Sequence, residues 1–139
     1  MSTPFGPQLI GETEKTLNAL LLRHLGALGA DHELTEPQWV TLRVASMLGG
    51  TVDRVGLAAA VTDRAHFPDA LQHVDDLTAR GLLDNGHLTT AGRDTLTRVQ
   101  TSLADDTSEL FGGLVPDDVA ATTRVLNDVL DRAHVLLAR

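Results

Sequence analysis

The residues best equipped for chemistry in this chain cluster between Asp53 and Arg93. Read as one helix from His66 to Arg80, the segment puts Phe67, Leu71 and Val74 on one stripe and His66, Asp69, Gln72, His73 and Asp76 on the opposite face. Gln72 and His73 carry donors and acceptors that match base edges, and Arg64, Arg54 and Arg80 flank them as candidate phosphate contacts. The local charge opposes this use. Between Asp53 and Arg93 four arginines stand against six aspartates, and Asp69 and Asp76 repel phosphate unless an arginine holds them. A polar helix face that is merely solvated is the competing reading.

Other chemistries find less to work with. His66 and His73 lie seven residues apart, two helical turns or about 10 Å, too far for one ion. The chain has six histidines and no cysteine, and without a local H-x-x-x-H pair no metal site is expected. Neither a G-x-S-x-G turn nor an H-E-x-x-H helix occurs, and Gly49-Gly50 is not followed by the Lys-Ser/Thr of a phosphate loop. The chain reads as non-enzymatic, with no cofactor.

Composition narrows the classes further. The 139 residues are 42% hydrophobic and 22% charged, enough for one domain with an ordinary core. A formal charge of −8, from 11 Lys+Arg against 19 Asp+Glu, excludes nucleic-acid binding by bulk positive charge, so any such contact must be local. Aromatic residues are 3% with no tyrosine, which leaves little to stack single-stranded bases on. Absence of cysteine excludes a disulfide-stapled secreted fold. Met1 to Gln8 has neither a basic run nor an apolar core, and no stretch reaches the ~18 apolar residues of a spanning helix. A soluble, cytoplasmic chain with no membrane partner is expected.

The elements that position these residues follow from periodicity and punctuation. Ile10, Thr13, Leu17, Leu20, Leu21, His24, Leu25 and Leu28 recur at helical spacing over 9–28, with Gly29 as the stop. Thr35 sits at an N-cap with Gln38 three residues on and Pro37 in the first turn, opening a second helix over 35–48. A short third helix is expected over 53–61, and the fourth over 66–80 with Pro68 in its first turn. Leu82-Leu83 and His87-Leu88 flank Asn85-Gly86, a pair suited to the positive φ angles of a type I′ turn, so a very short hairpin follows. Thr89 caps a helix over 89–111, and Pro116 restarts a last one to about 137. There Val119, Thr122, Leu126, Val129, Ala133 and Leu136 alternate by threes and fours, the seam of a helix that packs on another.

Several fragments of this order are familiar. Leu34-Thr35-Glu36-Pro37-Gln38-Trp39, then Leu57-Ala58, then Val74, Leu77 and Arg80-Gly81-Leu82-Leu83, then Leu88-Thr89-Thr90-Ala91-Gly92-Arg93 follow one another with the right helices between them. From about residue 10 to 137 the chain resembles the MarR family of winged helix-turn-helix regulators. The resemblance implies a mainly α fold with a short two-stranded hairpin: a winged core over 35–88, with helices at 9–28 and 89–137 joining two copies. It implies a homodimer, a double-stranded DNA operator read by the fourth helix, and control by a small aromatic or anionic ligand. That ligand would sit near Trp39, Arg43 and His24; core packing, a surface ion pair and a satisfied interface histidine are the respective alternatives. One departure stands out. The family's wing is longer and sends an arginine into the minor groove, whereas this tip is Asp84-Asn85-Gly86-His87. The short wing and the acidic surface leave a second reading open: a sensor or protein-interaction module of the same fold with weak or lost DNA binding.

Overall fold

The computed structural model describes residues 2–29 and 33–139, a mainly helical chain with one small antiparallel sheet. In order it contains α1 (Pro7–Gly26), α2 (Glu36–Leu48), α3 (Arg54–Ala65), α4 (Ala70–Ala79), β1 (Leu83–Asp84), β2 (His87–Leu88), α5 (Thr90–Phe111) and α6 (Pro116–Leu137). The chain divides into two compact units, Met1–Leu103 and Ala104–Arg139, the boundary falling within α5. Among the described residues no helix is long and apolar enough to cross a membrane.

Local chemistry accounts for most helix ends. The Thr35 hydroxyl accepts from the Gln38 amide while the Gln38 side chain accepts from the Thr35 amide, a complete capping box, and Gly49 closes α2 in the left-handed region at φ 59°. Asp53 caps α3 by accepting from the Gly56 amide at 2.8 Å. Three helices differ from the sequence reading. Helix α1 spans Pro7–Gly26 in place of 9–28, because Pro7 already occupies its first turn and Ala27 caps it ahead of Gly29. Helix α3 runs on past residue 61 to Ala65, because Thr62, Asp63 and Arg64 continue the turn on its solvent side. Helix α4 begins at Ala70 and not at His66: His66 is the left-handed C-cap of α3 at φ 59°, and Phe67, standing before Pro68, is sterically kept out of helical conformation. His66 therefore does not lie on the α4 face that periodicity assigned to it.

The first unit holds the core. Leu42, Leu57, Val61, Val74, Leu77 and Leu83 are fully buried, so that α2, α3, α4 and the hairpin share one apolar interior, which Leu96 and Val99 of α5 extend. Each such side chain contributes about 1.5–3 kcal/mol relative to exposure. In the second unit α6 buries none of its residues, and its apolar stripe is uncovered.

The hairpin forms as Asn85-Gly86 predicts. Leu83 pairs with Leu88 and Asp84 with His87, and the turn residues have φ 48° and 83°. The tip does not project. Asn85 Oδ1 accepts from the Arg54 amide at 3.4 Å, His87 Nε2 lies 3.0 Å from the Val52 carbonyl oxygen, and Gly86 lies against the Asp53 carbonyl. A Cβ on Gly86 would approach that carbonyl to 2.7 Å in a backbone conformation that already disfavours side chains. Gly86→Val should therefore cost about 1–3 kcal/mol, read as a lower urea midpoint with unchanged slope; an unaltered midpoint would contradict this packing.

Candidate nucleic-acid interface

Helix α4 is anchored by Ala70, Val74 and Leu77, all buried, which turns Leu71, Gln72 and Asp76 outward and leaves His73 and Asp75 half-buried at its edges. The face is largely satisfied within the chain. Gln72 Nε2 donates to Asp76 Oδ1 at 2.8 Å, one turn along. Arg54, first residue of α3, donates from Nε to Asp75 Oδ1 at 2.6 Å and from Nη2 to Asp75 Oδ2 at 3.1 Å, a two-pronged ion pair between helices. Arg80, just beyond α4, reaches Gln38 Oε1 at 3.5 Å. His73 meets the Phe67 ring edge-on, with centroids 6.3 Å apart.

The Arg54–Asp75 pair shapes the local electrostatics. The hydrogen bond from Arg54, with its positive charge, holds the Asp75 carboxyl below its ordinary range, and the bond and charge of Asp75 raise the Arg54 guanidinium above its own. Because the lowered group is an acid, the pair is intact at neutral pH and is lost only as acid protonates Asp75. Of the cations the sequence singled out, Arg64 stays exposed in the last turn of α3 without an ion pair among the described residues. His66 is exposed at the α3 C-cap.

An arginine does hold an aspartate of this helix, but the pair is Arg54 with Asp75, which lies off the face of Asp69 and Asp76. The partners are 21 residues apart, and Asn85 meets Arg54 across 31, separations at which no periodicity speaks. The three residues proposed for a ligand are dispersed in character. Trp39 is buried in the core, Arg43 is exposed on α2, and His24 is half-buried on α1 with Nδ1 2.7 Å from the Ser102 hydroxyl. Among the described residues no three His, Cys, Asp or Glu side chains are arranged to hold a metal ion.

What the arrangement offers is a short helix packed on its neighbours, carrying an amide and an imidazole, with arginines on the adjoining elements; carboxylates pair with the Gln72 amide and with Arg54. No protein-family model matches the chain, and no curated protein does either.

Proposed function

We propose that this chain is a winged helix regulator of the MarR type, a cytoplasmic homodimer that binds double-stranded DNA through α4 and responds to a small aromatic or anionic ligand. The observation that carries the reading is the polar face of α4, set on an apolar base as the last helix before the hairpin, with Arg64 exposed in the last turn of α3. The uncovered apolar stripe of α6 supports a second copy as partner. In this reading Gln72 and His73 meet base edges, Arg64, Arg54 and Arg80 meet phosphates, and His66 stands at the rim.

A second reading has its own observation. Helix α4 contains Asp75 and Asp76 and no lysine or arginine, and the hairpin tip is folded back on α3, so the same surface suits a protein-interaction or sensor module.

Fluorescence anisotropy separates the two, using a palindrome from the gene's own upstream region and a scrambled control at two salt concentrations. Gln72→Ala should weaken the specific duplex by about 1–3 kcal/mol and leave random duplex nearly unchanged. Arg64→Ala should weaken both and reduce the salt slope by about one charge per protomer. Equally poor binding of both duplexes by the wild type at either salt concentration favours the interaction module.

A further inference from the structure

Asp75 takes the Nε–Nη2 edge of the Arg54 guanidinium, leaving the remaining donors of Nη1 and Nη2 for a second anion. The same edge fits a carboxylate and a phosphate through paired donors to two oxygens, so the two compete for it, and the carboxylate also offsets the charge that would draw phosphate in. The pair lies at the surface, its side chains 44% and 41% exposed, and so is open to an anion from solvent. Its two ends have different attachments. Arg54 begins α3 and has its amide bound to Asn85 of the hairpin, whereas Asp75 belongs to α4 itself. The same pattern recurs one residue on, where Asp76 occupies the amide of Gln72.

We infer that Asp75 is an autoinhibitory residue: it withholds the Arg54 guanidinium from phosphate and so keeps the nucleic-acid affinity of α4 low. This rests on the DNA-binding reading and names how that site is restrained. The carboxylate competes as an intramolecular ligand, present at constant and high effective concentration, and phosphate wins only where several other contacts hold it in place. A weak non-specific affinity and a stronger requirement for the correct operator follow from one ion pair.

The test compares Asp75→Asn with Asp69→Asn. Both remove one negative charge from the same stretch, but Asp69 stands at the α4 N-cap without a side-chain cap bond. On random duplex at about 50 mM salt, Asp75→Asn should bind about tenfold tighter than wild type, with a salt slope steeper by roughly 0.9 per protomer. Asp69→Asn should give a smaller gain and no change of slope. In the Arg54→Ala/Asp75→Asn double variant the excess gain should vanish, since no guanidinium is left to release. A change of fold stability alone would move neither the slope nor its dependence on Arg54. The inference is overturned if Asp75→Asn gains no more than Asp69→Asn, or if its gain survives Arg54→Ala. If no variant binds any duplex, the DNA-binding reading fails and the inference with it, an outcome distinct from binding without gain.

Discussion

In analytical ultracentrifugation at micromolar concentration the protein should sediment as a species of about twice the 14.8 kDa chain, and Leu130→Asp should shift it to the monomer. The cause is α6. Val119, Leu126, Val129, Leu130 and Leu136 follow helical spacing yet are 37–59% exposed, and no residue of that helix is buried. A continuous apolar stripe of this length is costly to leave in water, and a seam with the same repeat on a second copy would cover it. An aspartate inside such a seam has no partner for its charge and costs several kcal/mol, enough to dissociate a pair that associates at micromolar concentration. Dilution should lower the thermal midpoint of the wild type, because association and folding are then linked. A monodisperse wild-type monomer would remove the homodimer from the proposed function, and an unchanged dimer with Leu130→Asp would show that α6 is not its seam.

Gly92→Ala should be the most damaging single methyl in the first unit. The Gly92 amide donates to the Thr89 hydroxyl at 3.0 Å, and that hydroxyl donates to the Gly81 carbonyl at 2.6 Å, so the first turn of α5 is drawn against the chain entering the hairpin. A Cβ on Gly92 would run into the Leu82 carbonyl oxygen, which is occupied by the Thr89 amide and cannot turn away, with Leu88 Cδ2 3.2 Å off on the other side. Backbone on backbone leaves nothing flexible to yield, so the loss should reach about 3 kcal/mol or more by urea denaturation. Gly26→Ala is the internal control. Gly26 is the last residue of α1, and a Cβ there meets nothing within 4 Å, so that substitution should be neutral or slightly stabilising. Equal effects at both positions would show that loss of glycine, and not the Leu82 contact, sets the cost.

Local signals carried much of the fold. Thr35 with Gln38 placed the start of α2, Asn85-Gly86 placed the hairpin turn, and Pro116 placed the start of α6, each because one residue type satisfies a backbone requirement that its neighbours cannot. Periodicity misplaces the α3 to α4 boundary because Phe67 fits an apolar stripe as well as it fits a turn; only the steric effect of Pro68 on its predecessor distinguishes the two. At the candidate site, residue types were legible and pairings were not. Nothing near Arg54 in sequence shows that its charge is taken by Asp75, since that pairing exists only once α3 and α4 have packed. Trp39 shows the same limit from the other side: a lone tryptophan that suits a ligand contact as well as packing lies in the core, where burial of its ring is most favourable.

The folded-back hairpin has a consequence for motion. Two residues per strand are too few to hold a hairpin closed in water, and such an element would ordinarily fray on its own. Here the contacts of Asn85 and His87 with residues 52–54 tie the chain into a ring that encloses α3 and α4. Opening the tip uncovers the first turn of α3, so fraying of the hairpin and loosening of that helix become one event. The amides of the hairpin and of the α3 N-terminus should therefore exchange with a single opening free energy, the hairpin serving as a strut for the helices it closes upon.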